Sequence, residues 1–483
     1  MTRRTKQHQP GASTESPSAD LPEGWAEAMM GDISTVIGGG TPAAHDPSNF
    51  TDRGYPWLTP ADLSGFEGTY ITRGRRDLTE KGLAGSSARL MPAGTVLMSS
   101  RAPIGYVAIA ANELCTNQGF KNFVLAPGIE PRYVFYWLKF KRDDIEEMGS
   151  GSTFVEISGS RCKEIPITLP PLAEQKRIVA KVEELLARVN VARERLAEVP
   201  AILKRFRQSV LAAACSGRLT EDWREMHPKV VASISEIRMP DAGTLPEIPE
   251  TWRWCCFSQL LTEFRNGIST KPNIDPPGHA ILRISAVRAM KVYLDDFRYL
   301  ASKDANVETY RLIDGDLLFT RYNGSIDLLG VCGMVRGLGD HILLYPDKLM
   351  RARVLTKLVL PEYCQIFFSE MSARRRMVGE SKSSAGQQGI AGSDVKNQYF
   401  VLPSLPEQRE IVRRVDRLFT LTDTIEKQVA VGTAWAEKLT QAILAKAFRG
   451  ELAPQDPNDE PASVLLDRIR CDREKDAKKS KAR

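Results

Sequence analysis

The chain has 483 residues, of which 42% are apolar and 26% charged, and it carries a net charge of +6. That is the composition of a globular protein with room for about three domains, and its mild basicity suits a polyanionic partner. Eight scattered cysteines without a C-x-x-C pair give no zinc or disulfide framework and fit a reducing cytosol, and no apolar run approaches the roughly 20 residues of a membrane span.

Residues 1–20 are polar, lack the apolar core of a signal peptide and read as a disordered tail. A first globule opens at Leu21-Pro22-Glu23-Gly24-Trp25 and continues through a glycine-rich loop, Gly38-Gly39-Gly40-Thr41-Pro42. Short β-type runs follow, such as Tyr55-Pro56-Trp57-Leu58 and Gly94 to Arg101, and a helical stretch from Pro131 to Met148 closes it. A long helical pattern then starts at Pro170-Pro171-Leu172-Ala173-Glu174-Gln175. Its apolar seam runs Ile178, Val182, Leu185, Val189, Ala192, Leu196, Val199, Leu203, Phe206, Val210. Gly217 is a plausible C-terminal cap.

The same order then repeats. Ile248-Pro249-Glu250-Thr251-Trp252 answers to the first opening, Gly315 to Tyr322 to the stretch Gly94 to Arg101, and Pro361 to Val378 to the closing helix. Pro403-Ser404-Leu405-Pro406-Glu407-Gln408 matches the start of the long helix at an offset of 233 positions, and the offset holds without a gap to Gly450-Glu451-Leu452. The second seam is Ile411, Val415, Leu418, Thr422, Ile425, Val429, Gly432, Ala436, Leu439, Ile443. Pro200 and Gly432-Thr433 interrupt the helices at matched register and predict a kink in each. The fold class is α+β: two pseudo-repeated globules and two long helices paired through heptad seams. Ser233 to Arg238 resembles Leu465 to Arg470, and the last dozen residues are expected to be solvated and disordered.

Catalytic signatures are missing. No two of the five histidines stand at helical metal-ligand spacing, and neither a phosphate loop nor a G-x-S-x-G elbow occurs. Asp275-Pro276-Pro277-Gly278 reads as a turn, because glycine stands where an amino-methyltransferase motif needs an aromatic ring. Polar and basic loops at corresponding places are the better candidates for DNA contacts. In the first globule they are Ser99, Ser100, Arg101, Asn117, Gln118, Lys121, Gly151, Ser152 and Thr153. In the second they are Arg265, Asn266, Thr320, Arg321, Tyr322, Asn323, Arg374, Arg375, Arg376, Lys382, Gln387 and Gln388. Arg, Lys, Asn and Gln read base edges, while hydroxyls and amides take phosphates.

Leu169-Pro170-Pro171-Leu172-Ala173-Glu174-Gln175-Lys176-Arg177-Ile178-Val179, its second copy at Leu405-Pro406-Glu407-Gln408-Arg409, Gly39-Gly40-Thr41-Pro42 and Gly151-Ser152-Thr153 resemble the signatures of type I restriction-modification specificity subunits. The resemblance covers about residues 20 to 470 and implies a tail (1–20), a target-recognition domain (21–170), a helical region (171–219), a linker (220–246), a second recognition domain (247–402), a second helical region (403–452) and a C-terminal tail (453–483). It further implies antiparallel helices, pseudo-twofold symmetry, Thr41 among the DNA contacts, and each recognition domain reading half of a split duplex target. By the same resemblance the chain is non-catalytic. Two modification subunits with S-adenosylmethionine and two restriction subunits with ATP and Mg would act with it, in a bacterial or archaeal cytoplasm and at no membrane. Docking and spacing fall to Glu174, Gln175, Ile178, Val182, Leu185, Glu407, Gln408, Ile411, Val415 and Leu418. A stand-alone DNA-modifying enzyme and a coiled-coil adaptor without DNA are the competing readings.

Overall fold

A computed structural model describes residues 21–150, 155–232, 245–273, 276–301, 306–379, 382–384 and 387–481, with the side chains of 382–384, 387, 388, 477 and 479–481 outside the description. Gly151, Ser152, Thr153, Asp275 and the stretch Ser233 to Arg238 lie outside the described residues. Two units form: residues 1–196 with 432–483, and residues 197–431. Two long helices, α1 (Leu172–Ser216) and α2 (Leu405–Phe448), give part of their length to each.

In the first unit a five-stranded sheet orders Ser34–Gly38, Phe120–Leu125, Val96–Ser100, Ile104–Ala110 and Tyr70–Ile71. The helix Pro131–Phe140 buries Tyr133, Val134, Phe135 and Leu138 over this sheet. Beside it, Tyr55–Leu58 pairs in parallel with Cys115–Thr116. The second unit repeats the plan. Leu261–Asn266, Leu349–Val354, Leu317–Thr320 and Cys332–Met334 form the main sheet, Pro361–Ser369 covers it, and His279–Leu282 pairs in parallel with Leu343–Leu344. Mostly antiparallel sheets with helices on one face make this the expected α+β class.

The helices pack antiparallel within each unit. In the second, Arg207 on α1 reaches Thr422 (3.0 Å) and Glu426 (2.6 Å) on α2. In the first, Leu196 lies so close to Gly432 that a β-carbon there would come within 3.3 Å of its side chain. The seam is buried at Ile178, Val182, Val189, Leu203, Val210, Ile411, Val415, Thr422, Ala436 and Ile443, whereas Ala192, Phe206 and Leu439 are exposed. Neither expected interruption ends its helix; α1 continues through Pro200 and α2 through Gly432. Gly217 and Gly450 end the helices with φ of 85° and 76°, a conformation that glycine adopts without strain.

The C-terminal expectation needs correction. Residues Ala462–Lys481 form a helix, α3, where disorder was expected over the last dozen residues. Leu465, Leu466 and Ile469 recur at helical spacing and pack into the first core, and Arg473 donates to the carbonyls of Gly31 (2.6 Å) and Ser34 (2.9 Å). One buried apolar face outweighs the charge that follows it.

Candidate nucleic-acid interface

The predicted DNA-contact residues gather at two loci, and both loci recur in both units. The first is an arm leaving the edge strand of the main sheet. At Gly39 an added β-carbon would lie 2.0 Å from the Asn117 carbonyl, and at Gly267 one would lie 2.2 Å from the Pro346 carbonyl. Only glycine permits this approach, and it presses the arm onto the turn after the parallel strand pair. In the first unit the locus brings together Thr41, Asn117 and Gln118: the Thr41 hydroxyl donates to Gln118 Oε1, and Asn117 Oδ1 accepts from the Gly119 amide (2.9 Å). In the second unit Arg265 and Asn266 are exposed at the foot of the arm, with Arg265 Nε bonded to Glu263 (3.0 Å).

The second locus follows the central strand. Ser100 N donates to the Gly119 carbonyl, and its carbonyl accepts from Ile157; Arg321 N donates to the Lys348 carbonyl, and its carbonyl accepts from Ile390. Arg321 therefore stands where Ser100 stands, and Arg101 corresponds to Tyr322. The stretches Gly94 to Arg101 and Gly315 to Tyr322 thus match residue for residue, and the candidate arginines Arg101 and Arg321 stand one position apart. A cation still reaches this point in both units, by different routes. Lys121 Nζ comes across from the neighbouring strand to Ser100 Oγ (3.3 Å) and Glu156 (3.1 Å), while Arg321 brings its own guanidinium, 4.8 Å from the Tyr322 ring centroid. Tyr322–Asn323 pairs with Gln387–Gly389, which pairs in turn with Lys382–Ser384, so the backbones of these candidates share one small sheet next to Arg321. Asn323 Oδ1 accepts from Ser325.

Three predicted contacts are internal instead. Ser99, Ser100 and Thr320 are buried. Ser99 Oγ donates to Pro103 O (2.7 Å) and accepts from Tyr106 N (2.8 Å); Thr320 Oγ1 donates to Leu328 O (2.5 Å) and accepts from Val331 N (2.9 Å). Each hydroxyl ties the central strand to the loop after it, which leaves none to offer DNA. Arg374, Arg375 and Arg376 lie on the helix Met371–Gly379, and Arg374 donates to the Asp327 carbonyl. The corresponding helix of the first unit, Arg142–Glu147, carries Asp143, Asp144, Glu146 and Glu147. Opposite charge on this element sets it apart from the two shared loci.

The residues expected to dock other subunits are also placed differently. Glu174, Gln175, Glu407 and Gln408 are at most 1% exposed. Trp25 Nε1 donates to Glu174 Oε2 (3.1 Å), and Trp252 Nε1 donates to Glu407 Oε2 (2.7 Å). Gln175 accepts from Glu130 N (3.0 Å) and donates to Pro170 O (3.0 Å); Gln408 accepts from Leu360 N (2.8 Å) and donates to Pro403 O (2.9 Å) and Leu358 O (3.0 Å). Ile178, Val182, Ile411 and Val415 are buried, and Leu185 and Leu418 half-buried, against the same cores. The buried ones among these side chains join each globule to its helix, while Leu185 and Leu418 keep part of their surface. The two joints differ most at the glutamate. Glu407 Oε1 accepts from Thr220 (2.8 Å) and Arg224 (2.7 Å), whereas Glu174 Oε1 is buried with no hydrogen-bond partner among the described residues. Burial raises the Glu174 pKa above its ordinary value, against the lowering effect of the Trp25 bond.

Cysteine chemistry is unfavourable here. All eight thiols are free, and burial pushes Cys115, Cys162 and Cys255 up to about 12. Among the described residues no group of three or more His, Cys, Asp or Glu could hold a metal, and no helix is long and apolar enough to cross a membrane.

Residues 22–201 match the model of the type I restriction modification DNA specificity domain. The chain is 40% identical over 473 residues to the EcoKI specificity subunit of Escherichia coli K12, covering 94% of this chain and 96% of that one. It belongs to the type I restriction enzyme specificity subunits. The StySPI specificity subunit of Salmonella potsdam is 31% identical over 474 residues, with 94% and 96% covered. The fold is that of the HsdS subunit from Thermoanaerobacter tengcongensis (TM-score 0.55, 20% identity, 90% and 99% covered). A chain solved in work on complex assembly and conformational transition of the type I R-M system is also similar (TM-score 0.67, 20% identity, 89% and 99% covered).

This specificity subunit thus recognises DNA; its two units share the joints and differ in the side chains at both loci. The sequence reading overlooked Lys271, Arg283, Arg298 and Lys348, which meet at the arm locus of the second unit. They come from four separate stretches, brought together by the pairing of His279–Leu282 with both Phe297–Leu300 and Leu343–Leu344 and by the approach of Gly267 to Pro346, so no local pattern announced them.

Proposed function

We propose that each unit of this specificity subunit reads one half of a bipartite duplex target through its arm locus and its central-strand locus. The observation that carries this reading is that the same two places in one fold are lined by different side chains: Thr41, Asn117, Gln118 and Lys121 in the first unit, and Arg265, Asn266, Arg321 and Tyr322 in the second. Two readers built alike and lined differently suit two unlike half-sites.

In this reading α1 and α2 set the gap between the half-sites and offer their outer faces to two modification subunits. The chain is not itself a catalyst. S-adenosylmethionine belongs with the modification subunits, and ATP with Mg belongs with two restriction subunits. The test is methylation mapping in cells that carry this chain with its partner subunits. A split target is expected, and substitutions at Thr41 and Gln118 should alter only one half. Methylation of a single uninterrupted sequence, or changes spread over both halves, would refute the assignment.

A further inference from the structure

The second unit holds a cleft of about 510 Å³ at its arm locus. Ile268, Pro272, Leu282 and Ile284 give it apolar walls, and Lys271, Arg283, Arg298 and Lys348 bring four cations to it, with Asp347 the one carboxylate in the lining. Arg283 is held by Asp296 at 3.2 Å. Lys271, Arg298 and Lys348 take part in no ion pair among the described residues. Low-dielectric walls around charge of one sign concentrate the field on whatever enters. The hydroxyl-bearing Ser269 and Thr270 line the same space.

The first unit has this place in the fold but only one of its four cations: Arg76 pairs opposite Trp57 as Arg298 pairs opposite Ile281. Backbone pairing sets Trp57 beside Cys115, as it sets Ile281 beside Leu344, and Gly39 corresponds to Gly267. On that register Lys271, Arg283 and Lys348 replace Ala43, Thr59 and Gly119. Three neutral positions in one unit are cationic in the other. Lys348 also accepts a hydrogen bond from Arg321 through its carbonyl, which makes the cleft continuous with the central-strand locus.

We propose that this cleft is a clamp for the DNA sugar-phosphate backbone, present in the second unit alone. The proposal rests on the reading that this unit holds duplex DNA. Lysine ammoniums on flexible stems are point charges suited to phosphate oxygens, and Ser269 and Thr270 are phosphate donors, whereas base readout favours a fixed bidentate fork. The first unit, with Thr41, Asn117 and Gln118 at the same place, holds its half-site with Arg76 alone of these four charges.

The test uses the assembled complex and a duplex carrying the target found by methylation mapping, with affinity measured across salt concentration. The combined Lys271→Ala, Arg298→Ala, Lys348→Ala variant should keep the methylated sequence, bind more weakly and show a salt slope flatter by about 0.9 for each phosphate no longer neutralised. Asp347→Asn, which removes the repelling carboxylate and no packing, should bind more tightly than the parent. Thr41→Ala with Gln118→Ala should leave the slope within about one unit. An unchanged slope in the triple variant, together with Asp347→Asn binding no tighter than the parent, would overturn the clamp while leaving DNA recognition standing. A changed second half-site sequence would also overturn it, since that marks base readout. Failure of the parent complex to prefer its mapped duplex would instead overturn the underlying reading.

Discussion

Substituting the buried glutamate at each joint by glutamine should separate the two units. Glu407 accepts three side-chain hydrogen bonds: Trp252 on Oε2, and Thr220 and Arg224 on Oε1. Glutamine offers one acceptor oxygen and one NH2 group, so at least one of those donors must face another donor. Losing a charge-assisted bond and leaving a buried donor unpaired together cost about 3–5 kcal/mol. Among the described residues the Glu174 carboxylate accepts from Trp25 alone and its second oxygen has no partner, so Glu174→Gln keeps its one bond and removes a buried charge. Its cost should lie within about 1 kcal/mol of zero. For units of this size, Glu407→Gln corresponds to a loss of about 10 °C in melting temperature. Hydrogen exchange of the intact chain, followed in peptides around Trp25 and Trp252, assigns each loss to its unit. Equal destabilisation by the two substitutions, or a larger effect at Glu174, would refute the reasoning. The pH dependence has a definite sign. Because burial raises the folded pKa of Glu174, its protonation favours the fold below the ordinary glutamate range, and this contribution is lost as pH rises through the folded value. The first unit of the parent should therefore gain on the Glu174→Gln variant as pH is lowered.

Gly432→Ala should stabilise: alanine is favoured by about 1 kcal/mol inside a helix, and the 3.3 Å contact is with the movable end of Leu196; a fall in melting temperature would show that the contact dominates. Arg321→Ala should cost about 1–3 kcal/mol of DNA binding if the contact is to a base. Arg101→Ala should cost less, because Arg101 already faces Glu156 at 3.9 Å; equal losses in binding titrations would contradict the one-residue shift between the two positions. Four residues inserted after Val189 lengthen α1 by about 6 Å, so mapped methylation should keep both half-sites and widen the gap by about two base pairs. An unchanged gap would remove α1 from the spacing role.

What the sequence disclosed followed from its local patterns. The 233-residue offset placed both helices, and the capping glycines at 217 and 450 marked their ends, because helix periodicity and positive φ leave signatures in neighbouring residues. The central-strand locus was legible for the same reason, a Gly-opened apolar run ending in polar residues. Which side of the strand each residue faced was not: Ser99, Ser100 and Thr320 look like donors until the loop that uses them is in place. The one-residue offset between Arg101 and Arg321 was implicit in matching Gly94 to Arg101 with Gly315 to Tyr322, and pairing with Phe120–Leu125 and Leu349–Val354 gives the same register. The glutamate and glutamine of the repeated motif read as surface residues because their partners, Trp25, Glu130, Trp252 and Leu360, lie 45 to 155 positions away.

The joint between globule and helix has a consequence for how such a chain can change. Among the described residues, the Gln175 and Gln408 side chains bond to main-chain atoms alone, those of Glu130, Pro170, Leu358, Leu360 and Pro403, and main-chain atoms are the same whatever residue carries them. Among the described residues, the globule side chain that bonds to the motif's glutamate is the tryptophan, and in the first unit Arg132 adds one bond to Glu183 of α1. A globule could be rewritten almost throughout, loop by loop, and still seat on its helix. The part of the molecule that chooses a target is thereby free to drift at a pace the helices cannot share.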